Sequence, residues 1–109
     1  MRERGGYLIL CHPFRYRPEL TVDVDRFPPD AIEVHSRNTP DKEEKRIRAI
    51  AGRTGAMLLS SSDAHRASSV GAFFNRFRED TPSMPALLAA LRSGAFEPIV
   101  RPTPAVPQR

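Results

Sequence analysis

No run of apolar residues in this chain is long enough to cross a bilayer. The longest, Tyr7 to Cys11 and Ala56 to Leu59, are strand-sized, whereas a membrane-spanning helix needs about 20 residues. No apolar segment of signal-peptide length follows Met1-Arg-Glu-Arg-Gly-Gly6. A membrane partner is therefore not expected, and a cytoplasmic location is. Cysteine occurs once, at Cys11, which excludes an internal disulfide framework. A reducing compartment accommodates that thiol. Lysine is nearly absent: Lys42 and Lys45 stand alone among 17 basic residues. Arginine suits bidentate binding of phosphate, and codon usage in a GC-rich genome accounts for the same bias. No internal repeat is present.

A chain of 109 residues permits one small domain with a modest core. Its 39% hydrophobic and 28% charged residues are ordinary for a globular chain. The net charge of +4 attracts polyanions without naming one. The basic residues are scattered, and no aromatic residues interleave with them as in a platform for single-stranded nucleic acid.

Tyr7-Leu-Ile-Leu-Cys11 reads as a buried strand, ended at once by His12-Pro13. The stretch from Phe14 to Pro29, with Pro18, Pro28 and Pro29, reads as a long loop. Ala31-Ile-Glu-Val-His35 is a second strand. Thr39 and Pro40 then suit the cap and first turn of a helix. That helix, over 41–54, carries Ile47, Ile50 and Ala51 at helical spacing, and Gly55 stops it. Ala56-Met-Leu-Leu-Ser60 is a third strand. This order implies an α/β fold with a parallel sheet covered on both faces. Beyond Ser68 the pattern is less regular, although Phe73, Phe74 and Phe77 need a place to pack. A last helix over Met84 to Arg92 turns Leu87, Leu88 and Leu91 inward and ends at Gly94. The globular part is expected over 1–95 and a Pro-rich flexible tail over 96–109.

The chemistry-bearing residues follow the strands. His12 ends the first, and Asp63-Ala64-His65 follows the third. In parallel α/β folds, ligands and catalytic groups gather at these strand ends. Imidazole and carboxylate suit Zn, Mn or Fe. On an extended segment Asp63 and His65 would point the same way, because side-chain direction repeats every two residues. Taken singly, a histidine before proline is more often a turn residue than a ligand, and Ser-Asp-Ala-His serves equally as a helix cap or loop. The joint pattern supplies three ligands, where zinc usually has four.

Leu10-Cys-His-Pro-Phe-Arg15, Ala31-Ile-Glu-Val34 and Ser61-Ser-Asp-Ala-His65 with Val70-Gly71 resemble successive motifs in the later half of PHP domains. That family is named for DNA polymerases and histidinol phosphatases. The resemblance covers residues 5 to 95 and implies the C-terminal portion of a distorted seven-stranded β/α barrel, incomplete here. It implies hydrolysis of phosphate esters with clustered divalent metal ions (Mn, Zn or Fe). His12 matches a metal-ligand histidine of the family, and Asp63 and His65 match its final Asp-X-His ligand pair. The resemblance also implies a catalytic role for Asp63 in orienting water. Glu33 matches a recurrent strand glutamate, either orienting its neighbours or touching metal. Arg15 and Arg37 are candidates for substrate phosphate, exposed ion pairs being the plainer use of both. His35 and Asn38 fall near the expected barrel mouth.

PHP domains open with His-X-His, and none of His12, His35 and His65 forms one. The chain thus reads as a fragment beginning inside the domain, with catalysis by the isolated chain in question. Open sheet edges would favour self-association. The expected substrate is a phosphorylated small molecule or nucleotide. Two other readings stay open: a non-catalytic module that binds metal or phosphate, and a basic nucleic-acid-binding protein.

Overall fold

The computed structural model describes residues 5–14, 19–20, 22–36 and 41–101. Three strands form a parallel sheet in the order β1-β2-β3: β1 is Ile9–Leu10, β2 Ala31–His35 and β3 Met57–Ser60. Helix α1, Glu44–Thr54, connects β2 to β3 after a 3₁₀ turn at Asp41–Glu43. Beyond β3 come a second 3₁₀ turn at Ala67–Ser69, strand β4 (Phe73–Phe77), helix α2 (Met84–Ser93) and strand β5 (Phe96–Val100). β4 and β5 pair antiparallel as a separate two-stranded ribbon, with α2 between them in sequence. The described residues thus form a small mixed α/β structure. No described helix is long and apolar enough to cross a membrane.

The parallel sheet is covered on both faces, as its continuous apolar strands imply. Side chains alternate along β2. Ile32 and Val34 meet Ile47, Ile50 and Ala51 of α1, with Phe14 and Val24 from the flanking loops. Ala31 faces the other way and packs with Leu59 and Phe96, joined by Tyr7, Met57, Phe77 and Leu91. Ile32 and Ile47 are fully buried, and each such side chain contributes about 1.5–3 kcal/mol. The Arg46 guanidinium closes the α1 side, 4.0 Å above the Phe14 ring.

Both helices end on glycine. Gly55 and Gly94 have φ of 78° and 74°, a region that crowds any Cβ. Their N–H groups donate to Ala51 O and Ala90 O, satisfying carbonyls the helix leaves open. At the start of α2 the Ser83 hydroxyl accepts from the Ala86 N–H. The expected cap of α1, Thr39 with Pro40, lies outside the described residues.

Two expectations need correction, and β2 has an irregularity of its own. β1 spans two residues rather than five, and its Leu8 and Ile9 flank is 41% and 42% exposed instead of buried. It lies at the sheet's edge, with β2 as its only neighbour in the described sheet. The tail does not start at residue 96, because β5 occupies Phe96–Val100. Phe96 is buried with its ring centroid 5.5 Å from that of Phe77. Pro98 faces Asn75 across a two-stranded ribbon, where a missing N–H is tolerated. Residues 102–109 lie outside the described part. Finally, β2 carries a bulge: Glu33 pairs with Leu59, but His35 rather than Val34 pairs with Ser60. Two residues oppose one there, so His35 sits on the α1 side of the sheet. Its Nδ1 is 3.8 Å from a Glu44 carboxylate oxygen, away from Glu33.

Candidate functional site

The C-terminal ends of the three parallel strands lie side by side, and Glu33 ties them together. This carboxylate is only 4% exposed. Oε1 accepts the backbone N–H of His12, just past β1, at 2.8 Å. Oε2 accepts a hydrogen bond from the hydroxyl of Ser61, just past β3. A buried carboxylate with both oxygens so engaged is far less costly than a bare one. Glu33 therefore orders the exits of two strands at once. The Ser61 N–H also donates to the His35 carbonyl at 2.9 Å, fastening β3's exit to the end of β2.

The two residues these ties deliver have unusual backbones. His12 has φ 29° and Asp63 φ 50°, the two non-glycine residues with positive φ among those described. Most L-residues avoid this region because Cβ crowds the following carbonyl. Where it persists, the surrounding structure imposes it, and such residues cluster at functional sites. The hydrogen bond from the His12 N–H to Glu33 is part of what holds that conformation.

The left-handed turn at Asp63 corrects the geometry expected for Asp63-Ala64-His65. The segment is not extended, so the two side chains do not follow the alternation of a strand. Instead the chain folds back, and His65 Nδ1 lies 3.0 Å from the Asp63 carbonyl oxygen. His65 is exposed on the surface and Asp63 partly buried. Cys11, left out of the sequence-based site, adjoins the same group. Burial raises its thiol pKa, and the Glu33 and Asp63 carboxylates raise it further. Ser61 likewise has no role readable from sequence; it opens the Ser61-Ser-Asp-Ala-His65 segment, but only the fold reveals its link to Glu33. Arg15, Arg37 and Asn38 lie outside the described residues.

The donor chemistry at these strand ends fits a Zn, Mn or Fe ion. The geometry stops short of it: among the described residues no three His, Cys, Asp or Glu side chains are gathered to hold an ion. His12, Asp63 and His65 share one end of the sheet without forming a closed ligand set. An open groove of about 210 Å³ lies at the opposite end, lined by Tyr7, Asp30, Met57 and Arg92 among others. Its polar groups serve the fold. The Asp30 carboxylate accepts the Leu8 N–H at 2.7 Å, and Arg92 donates to the Gly5 carbonyl at 2.9 Å. Residues at this face of a parallel sheet read as stabilising.

Together, a parallel α/β sheet and polar residues set beyond its carboxyl ends define a class of protein that works from its strand-end loops. Within that class, the family model described as PHP-associated matches residues 42–96, just over half of the chain. The chain belongs to this family, in agreement with the resemblance to the C-terminal part of a PHP domain. The match takes in Asp63 and His65 but not His12 or Glu33. No curated protein and no solved structure matches the chain.

Proposed function

We propose that this chain supplies part of the site of a PHP-type, divalent-metal-dependent phosphoesterase, built on the C-terminal portion of a barrel of that kind. The observation that carries the proposal is a coincidence of independent signals. His12 and Asp63, picked out by motif, are also the two described non-glycine residues held at positive φ. They follow the two strands that flank β2, whose ends are joined through one buried carboxylate of β2. In this reading His12, Asp63 and His65 contribute metal donors (to Mn, Zn or Fe), Glu33 orders the loops, and Arg15 and Arg37 meet the substrate's phosphate. Asp63 is the residue most closely tied to hydrolysis. Ligands beyond these three complete the set. The substrate class is a phosphorylated small molecule or nucleotide, and the setting is cytoplasmic.

The test is metal content after purification in limiting Mn and Zn, comparing the wild type with Asp63→Asn/His65→Gln. Both replacements keep side-chain size and suit the backbone. The expected result is an ion retained by the wild type and lost from the variant. Two folded proteins that both lack metal would overturn the proposal. Metal retention without turnover of p-nitrophenyl phosphate would assign the chain to a non-catalytic binding module instead.

A further inference from the structure

Ser60, the last residue of β3, is 2% exposed. A buried backbone N–H and C=O must find partners, and here both find one side chain. The Ser60 N–H donates to Asn75 Oδ1 at 2.8 Å, and Asn75 Nδ2 donates to the Ser60 carbonyl at 2.7 Å. Asn75 sits mid-strand in β4, which is not in ladder with β3. Its amide acts as a one-residue substitute for a pairing strand. The Ser60 hydroxyl adds a bond to the Ile99 carbonyl of β5 at 3.1 Å. The next residue, Ser61, is held from the other flank by Glu33 and by the His35 carbonyl. The chain leaving β3 toward Asp63 is therefore gripped from two sides, by the sheet and by the ribbon.

We propose that Asn75 is a positioning residue for the strand-end site. It fixes the direction in which β3 hands over to Asp63-Ala64-His65, and through it the β4–β5 ribbon controls the site's affinity for a divalent ion. The ion-affinity part rests on the function proposed above; the positioning part does not. Sites hold their geometry when supporting hydrogen bonds lock the chain beneath them. Loss of such an outer partner commonly weakens metal binding about 10–100-fold. A purely structural Asn75 would instead lower stability and leave the bound geometry alone.

The experiment compares wild type, Asn75→Asp and Asn75→Leu at pH 7.5. Asn75→Asp keeps the shape and the acceptor for the Ser60 N–H, but turns a carboxylate oxygen toward the Ser60 carbonyl. Amide ¹H–¹⁵N spectra are recorded without metal, and Mn²⁺ titrations are followed by water-proton relaxation. The expected result is a folded Asn75→Asp protein whose Ser61 to His65 amides shift, with Mn²⁺ affinity reduced about 10-fold or more. Shifts confined to β4 and β5, or unchanged Mn²⁺ affinity in a protein that is merely less stable, would overturn the proposal. A wild type that binds no Mn²⁺ refutes the metal reading alone, and the metal-free shifts still decide the role of Asn75. Should neither variant fold, hydrogen exchange in the wild type decides. Ser60 and Ser61 amides opening together with Phe73–Phe77 supports the coupling, and independent opening overturns it.

Discussion

Replacing Asp63 with glycine should leave a more stable protein than replacing it with alanine, the reverse of what an ordinary loop position gives. Asp63 sits at φ 50°, where a Cβ costs about 1–2 kcal/mol for most L-residues. Asp63→Gly removes that crowding; Asp63→Ala keeps it. Both lose the carboxylate, so whatever that carboxylate contacts in the folded chain cancels from the comparison. Glycine's greater freedom in the unfolded chain works the other way, by about 0.4–1 kcal/mol. The difference leaves glycine ahead by about 0.5–1 kcal/mol. For a domain of this size that separates the two melting midpoints by about 2–8 °C. Thermal unfolding followed by circular dichroism reads the gap directly. Neither variant should retain metal, so stability and binding part company at one residue. An Asp63→Ala protein melting at or above Asp63→Gly would refute the reasoning, because the backbone at 63 would then not be under the constraint described.

Glu33→Ala should destabilise by about 1–3 kcal/mol, since it leaves a partly buried N–H and a partly buried hydroxyl without their acceptor; Glu33→Gln should lose less. Urea unfolding checks this through a lower midpoint at unchanged slope, and a Glu33→Ala midpoint equal to wild type would discount the bridge. Burial raises the Tyr7 phenol pKa, the Asp30 carboxylate raises it further, and the Arg92 charge partly opposes them. The folded chain therefore keeps this proton to higher pH than the unfolded chain. Its contribution to stability is complete below the ordinary phenol value and falls as pH rises through that value toward the folded one. Ultraviolet titration in a Tyr16→Phe background should place Tyr7 above the ordinary value, with Asp30→Asn bringing it down. A Tyr7 that titrates at or below the ordinary value would contradict the arrangement.

Elements whose signals are local were legible in the sequence. The spacing of Ile47, Ile50 and Ala51 marked α1, and Gly55 and Gly94 marked where two helices stop. Apolar runs marked β2 and β3, and their order with α1 implied the parallel sheet. What escaped depends on distant partners. Phe73, Phe74 and Phe77 do not alternate, so β4 is defined by its pairing with β5 and not by its own pattern. β5 was obscured by Pro98, which only an edge location excuses. The bulge that turns His35 toward Glu44 is a property of two strands, and one strand's sequence does not announce it. At the candidate site, His12, Asp63 and His65 were singled out by motif, but their geometry was not readable. A left-handed turn at Asp63 cancels the alternation on which its pairing with His65 was argued. Asn75 had one faint signal, a lone amide among aromatic residues.

The Glu33 bridge also sets an order of events during synthesis. A ribosome delivers the N-terminal side first, yet His12 lacks the carboxylate that seats its N–H until Glu33 emerges 21 residues later. Glu33 in turn waits 28 residues for the Ser61 hydroxyl, and Ser60 waits a further 15 for Asn75. The loop ends thus take shape only after β4 has emerged, whatever the pace of α1. A nascent chain cut short before β4 carries His12, Asp63 and His65 in sequence but without the full set of hydrogen bonds that seats their strand ends.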